Sequence, residues 1–359
     1  MKNQPFLIDA HLDLSMNAME WNRDLRLPID SIRAREKGMI DKPDRGNNTV
    51  SFPAMREGNI AICFATLIAR YAKPGHPGGG WNSPEQAWGM TQAQLAWYKE
   101  MERQGEVKQI KSKGDLQNQL NNWHTDPTYQ SIGYVLTLEG ADSIVSPEHL
   151  NQYHDNGLRA IGPAHYGPGT YAWGTNSDAP LSEKGKWLLK EMDHLGMALD
   201  ATHLCDTAFW EALEIFEGTV WASHNNTRAL VDHNRQFSDE MIKALIDRDA
   251  VIGMALDAWM LVPNWIRGKS TPQNMNVSLE NAIDHLVHIC ELAGNCDHVG
   301  IGTDLDGGFG TEQGPLDVNT ISDLQKIPSM LRNRGFSDLD IEKVLNKNWL
   351  RKLEQVLGN

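Results

Sequence analysis

Cysteine is scarce and scattered. The four thiols, Cys63, Cys205, Cys290 and Cys296, show no CxxC spacing. Neither a disulfide framework nor a thiolate zinc knuckle is indicated, and buried or incidental thiols are expected. Basic charge is in deficit too. Against 47 Asp and Glu stand only 33 Lys and Arg, a formal net charge of -14. That balance argues against nonspecific binding to nucleic acid or an anionic membrane, both of which need a basic surface. No apolar run approaches the ~20 residues needed to span a bilayer. The first residues carry one Lys and no apolar signal-peptide core, so the chain reads as soluble and cytoplasmic. Gly78-Gly79-Gly80 lies in no phosphate-cradling pattern and reads as a turn.

What is present is enough apolar sequence for a sizeable core, 40% of 359 residues. Eight short apolar runs with little in-out alternation read as buried strands: Phe6–Leu14, Asn59–Ala69, Ile132–Ala141, Leu158–His165, Met197–Leu204, Thr219–Asn225, Ala250–Leu256 and His298–Asp304. Helix-like stretches with 3–4 spacing lie between many of them: Ser83–Gln104, Glu183–Leu195, Asp206–Phe216, Ser238–Arg248 and Leu279–Ala293. Alternating strand and helix predicts a parallel sheet, and eight strands predict closure into a (β/α)8 TIM barrel. No linker divides residues 1–359, so one catalytic barrel domain is expected. Glu20–Pro53 and Lys73–Pro84 read as irregular insertions after early strands, placed to wall a site. Ser337–Leu357 reads as a capped amphipathic helix.

In such a barrel, functional residues sit at the C-terminal ends of the strands. Those ends supply His11, Asp13, Glu139, His165, His203, His224 and Asp304. Singly each has an ordinary explanation: a strand His is more often a hydrogen-bonded core residue, and Asp304 and Asp306 also suit an Asx-type turn. Jointly they suit divalent ions such as Zn²⁺, which take nitrogen and oxygen donors together. One metal would use His11, Asp13 and Glu139; a second would use Glu139, His203 and His224. Glu139 would bridge them, together with a shared hydroxide.

The order and spacing of Asp9-Ala10-His11-Leu12-Asp13, Leu138-Glu139-Gly140, Thr202-His203-Leu204-Cys205-Asp206, Ala222-Ser223-His224-Asn225 and His298 through Gly307 resemble the membrane (renal) dipeptidase family of metallopeptidases. The similarity extends over nearly the whole chain and is strongest to the soluble bacterial branch. The resemblance implies a dinuclear zinc enzyme that cleaves dipeptides, including those with a D C-terminal residue, and often a homodimer. It implies His11, Asp13, Glu139, His203 and His224 as ligands of two Zn²⁺. It also implies His165 as a contact to the substrate and its tetrahedral intermediate, Arg235 as the clamp on the substrate carboxylate, and Asp304 as the acid/base. Where the animal enzymes place an aromatic substrate contact, this chain reads Met254-Ala255-Leu256-Asp257-Ala258-Trp259, leaving open whether Asp257 or Trp259 lines the pocket. Two rivals are retained: deacylation of N-acyl amino acids on the same site, and a noncatalytic metal-binding barrel.

Overall fold

The computed structural model describes residues 4–72, 79–126 and 128–358. Its strands are β1 (Leu7–Leu12), β2 (Ile60–Ile68), β3 (Val107–Gln109), β4 (Ile132–Glu139), β5 (Leu158–Gly162), β6 (Ala198–Asp200), β7 (Val220–Trp221), β8 (Ile252–Met254) and β9 (Val299–Ile301). Hydrogen bonding runs in the order β7-β6-β5-β4-β2-β1-β9-β8. Every pair is parallel. A parallel bridge between Ala222 and Ile252 joins the two ends of that order. Eight strands thus form the expected barrel. The short β3 was not anticipated; it pairs with the first three residues of β4, ahead of the point where β5 begins to pair.

The barrel is filled from below. Ile8, Ala10, Ile62, Phe64, Val135, Ala160, Ala198 and Trp221 form one cluster with Trp349 and Leu353 from the last helix, Asn348–Val356. Trp349 Nε1 donates to the Ile301 carbonyl at 2.9 Å. Gly300 is glycine for a reason, since a Cβ there would collide with the Trp349 indole. The expected C-terminal helix begins at Ser337, whose hydroxyl accepts from Asp340 N, and includes one wide turn at Lys343–Lys347. A larger apolar layer packs the outer helices against the sheet. Parallel strands buried on both faces are what continuous apolar runs produce.

Two expectations need correction, and one ordinary alternative falls away. The strands β5, β6, β7 and β9 stop well before His165, Leu204, Asn225 and Asp304. The chain leaves the sheet early, yet stays buried, so the apolar signal runs on past the last ladder hydrogen bond. Second, the 20–53 insertion is not wholly irregular: it contains the helix Ile29–Glu36. Buried Arg23 ties that helix down, with Nε 2.8 Å from Glu36 Oε1 and Nη2 2.9 Å from Asp44 Oδ2. Third, Asp306 makes no Asx turn. Its carboxylate accepts from Thr49 N and Oγ1, both at 2.7 Å, and from Val50 N at 3.0 Å, pinning that insertion to the strand-end loop. Most of the 73–84 insertion, residues 73–78, lies outside the described residues. No helix among the described residues is long and apolar enough to cross a membrane.

Candidate metal centre

Alternation along β4 places Val135, Thr137 and Glu139 on one face. Glu139 is the last residue of the strand and is buried at the barrel mouth. On β1 the register slips between Asp9 and Leu12. His11 is carried by that irregular end, while Asp13 lies just past the strand, leading into the helix Leu14–Met19. The two are nonetheless side by side: His11 Nε2 is 3.8 Å from Asp13 Oδ1. His203 and Asp304 both take left-handed backbone, φ +68° and +59°. That conformation is uncommon for non-glycine residues and clusters at functional sites.

The donors converge around Glu139. Its Oε1 lies 3.1 Å from His203 Nε2 and 3.3 Å from His224 Nε2. Its Oε2 lies 3.6 Å from His11 Nε2 and 3.9 Å from His165 Nε2. Asp304 Oδ1 is 3.8 Å from His11 Nε2. His11, Asp13 and Glu139 form one group with donor atoms mutually within 4.8 Å, and Glu139, His203 and His224 form another. His11, His224 and Asp304 meet the same criterion. The far ring nitrogens are held from behind. His203 Nδ1 is 3.0 Å from Thr175 Oγ1, and His224 Nδ1 is 2.8 Å from Ser223 Oγ. This leaves each Nε2 facing the cluster, as ligand histidines require.

Whether cations fit can be read from atoms left without partners. His11 Nε2, Asp13 Oδ1 and Glu139 Oε1 are buried and lack a hydrogen-bond partner among the described residues. Such groups are costly to bury unless something compensates them. Three aligned orphans of ligand type fit a cation. The protonation balance agrees. Burial opposes charge on His11, but Glu139, Asp13 and Asp304 together hold its pKa up to about 10. Burial likewise opposes charge on Glu139, yet His11 and His165 draw its pKa well below the usual carboxylate range. Burial pushes Asp13 up to about 7 and Asp304 well above its ordinary value. His203 and His224 are driven well below theirs, chiefly by burial. Carboxylates that hold a proton on His11, beside neutral His203 and His224, are the electrostatic complement of divalent charge.

Above the cluster opens a cavity of about 420 Å³, lined by Asp13, Glu139, His165, His203, Arg235 and Asp304 among others. His165, Arg235 and Asp304 therefore share one mouth with the Glu139 cluster. Arg235 is buried, its Nη2 donates to the His224 carbonyl at 2.9 Å, and its Nη1 has no partner among the described residues. Asp257, not Trp259, lines the cavity; Trp259 Nε1 holds Asp257 Oδ2 from behind at 2.6 Å. Sequence reasoning missed Arg70, just beyond β2, whose Nη1 is 3.1 Å from His165 Nδ1. It also missed the role of Asp9. That buried carboxylate accepts from His11 N and from Thr303 N and Oγ1, at 3.2, 2.9 and 2.6 Å, locking β1 to the loop that carries Asp304. Arg70 lies just past the end of β2, in a segment where function concentrates, whereas Asp9 lies within β1 and carries no such signal.

Comparison with known proteins agrees with this geometry. Dipeptidase tcpJ of Claviceps purpurea (strain 20.1) is 29% identical over 235 residues, covering 62% of this chain and 52% of that relative. The chain thus spans about half the length of that curated relative. A crystal structure of the dipeptidase AC, a metallopeptidase of family M19, superposes with a TM-score of 0.80 at 22% identity, covering 99% of this chain and 100% of that one. The metallopeptidase from Rhodobacter sphaeroides, liganded with a phosphinate mimic of the dipeptide L-Ala-D-Ala, superposes with a TM-score of 0.78 at 21% identity, covering 98% and 99%. At these identities the superpositions establish the shared barrel. A family model described as membrane dipeptidase (peptidase family M19) matches residues 1–358, and with that match the chain belongs to the membrane dipeptidase family of metallopeptidases.

Proposed function

We propose that the chain is a single-domain, zinc-dependent dipeptidase, with His11, Asp13 and Glu139 holding one ion and Glu139, His203 and His224 the other. The observation that carries the reading is the sharing of Glu139 between two donor groups, beside three buried ligand atoms without partners. Two divalent ions held there would acidify a water and polarise the scissile carbonyl.

The remaining roles belong to the chain itself. The Arg235 guanidinium, with Nη1 unengaged, binds the substrate's C-terminal carboxylate. His165 is a neutral donor. Burial first, then Arg70 and Arg235, lower its pKa to about 4 against the pull of Glu139. Because Arg70 donates to Nδ1, the ring proton sits on Nε2, the nitrogen nearer Glu139. From there it donates to the oxyanion of the tetrahedral intermediate. Asp304 takes the proton of the attacking water and delivers it to the leaving amine. Dipeptides with a D C-terminal residue are included among the substrates, supported by the ligand carried by the Rhodobacter sphaeroides neighbour. A homodimer is the arrangement that the family resemblance suggests.

The test is metal analysis of the purified protein, followed by kinetics on matched L,L and L,D dipeptides. About two equivalents of zinc and turnover lost on chelation, then restored by Zn²⁺, support the reading. Full turnover in the metal-free protein, or faster cleavage of N-acyl amino acids than of any dipeptide, overturns it.

A further inference from the structure

A dipeptide differs from an N-acyl amino acid by one group, the free α-ammonium, and an ammonium in a walled cavity needs an acceptor. Besides the metal-donor set, three carboxylates line the cavity: Glu20, Asp257 and Asp304. Asp257 is already satisfied, because Gln313 Nε2 donates to Oδ1 at 2.8 Å and Trp259 Nε1 donates to Oδ2 at 2.6 Å. Asp304 faces His11. Glu20 is different. It is half-buried, and its carboxylate makes no hydrogen bond or ion pair among the described residues.

Its placement follows from helix geometry. Asp13 leads into the helix Leu14–Met19, and Glu20 caps the other end. Asp13, Met16 and Glu20 follow the 3–4 spacing of one helical face, and all three line the cavity. Two turns separate the Asp13 and Glu20 Cα atoms by about 10 Å. A glutamate side chain slanting back toward the helix N-terminus shortens that gap toward the metal donors. Glu20 acts electrostatically on Asp13 and is itself acted on by Lys42 and Arg70. Lys42 has its own seat, its Nζ 4.1 Å from the centre of the Trp21 ring.

We infer that Glu20 is the anchor for the substrate's α-ammonium, in the same cavity as the carboxylate clamp at Arg235, and so selects free dipeptides over N-acyl amino acids. The inference rests on the dipeptidase reading and adds its specificity determinant. With Arg235 and Glu20 both lining the cavity that Glu139 also lines, a substrate charged at both ends finds a partner for each charge. An N-acyl amino acid keeps only the Arg235 end and brings no cation to the Glu20 carboxylate.

The experiment compares wild type with Glu20→Gln, which keeps the side-chain shape, and with Glu20→Asp. Two quantities are read on the zinc-loaded protein: KM for L-Ala-D-Ala, and the inhibition constant of N-propionyl-D-Ala, the same molecule without its amine. Glu20→Gln should raise KM about tenfold or more while the inhibition constant stays within about twofold. Glu20→Asp should recover part of the loss. Zinc content and melting temperature equal to wild type confirm that the variants fold. A smaller rise in KM, or an inhibition constant that moves by the same factor, overturns the assignment of Glu20 alone. A wild-type protein that cleaves no dipeptide overturns the dipeptidase reading, and Glu20 with it.

Discussion

Arg70 Nη1 lies 3.1 Å from His165 Nδ1, and a guanidinium has only protons to offer. The contact therefore fixes the imidazole tautomer, with Nδ1 as acceptor and Nε2 as donor. Replacing Arg70 with Met removes that constraint. Turnover of a dipeptide should fall by about 10- to 100-fold, a part of what losing an oxyanion donor outright costs. Nitrogen NMR of His165 should show protonated Nε2 in the wild type and a tautomer mixture in the variant. The same spectrum for both proteins would show that Arg70 does not set the tautomer.

Asp304→Asn keeps the size of the side chain and removes its capacity to carry a proton. The five proposed metal donors are untouched, so zinc content should match wild type while kcat drops by about 10²- to 10⁴-fold. Normal hydrolysis by this variant would disprove the acid/base role. Loss of metal instead would make Asp304 a ligand, as its grouping with His11 and His224 allows.

Arg235→Lys retains charge but loses the fork that binds a carboxylate through two parallel bonds. The expected result is a fall of roughly 10- to 100-fold in kcat/KM for dipeptides, with zinc content unchanged. A dipeptide amide, which has no C-terminal carboxylate, should be a poor substrate for both proteins. Equal rates on the acid and the amide in wild type would remove Arg235 from substrate binding.

His285 gives a pH prediction remote from the metals. It is fully buried, its Nδ1 accepts from Thr227 N at 3.1 Å, and its Nε2 is 3.3 Å from the Leu261 carbonyl. Burial lowers its pKa from 6.5 to about 4, against the Leu261 carbonyl that favours the charged form. The unfolded chain thus takes up the proton first. Stability supplied by neutral His285 is complete above pH 6.5 and drains away as pH falls toward 4, by roughly 3 kcal/mol. Denaturant titrations should show this acid loss in wild type and a flatter profile in His285→Gln. Parallel profiles would contradict it.

Much of the architecture was readable from apolar periodicity, because strands buried on both faces leave continuous runs and their order alone implies a barrel. The donor set was readable for a related reason. His11, Glu139, His203 and His224 lie at or just beyond strand ends, where a buried polar residue stands out against its apolar neighbours. What stayed hidden depends on distant contacts. Nothing near Asp9 in sequence reveals that its partner is Thr303, and Arg70 declares no target until β2 and β5 are both in place. The short β3 has too few residues for a periodic signal, and Arg23 stabilises the Ile29–Glu36 helix through partners a turn or more away. Glu20 looks like an ordinary helix-end carboxylate until the cavity wall around it is known.

The residues around Glu139 enter the chain in the order His11, Asp13, Glu139, His203, His224 and Asp304. A growing polypeptide therefore carries the first two long before it carries the last. Until the segment containing β9 has left the ribosome, Asp9 has no Thr303 to hold it and the first strand has only one of its two neighbours. The mouth of the barrel is on this arrangement completed late in synthesis, when the segment carrying Thr303 and Asp304 takes its place beside the first strand.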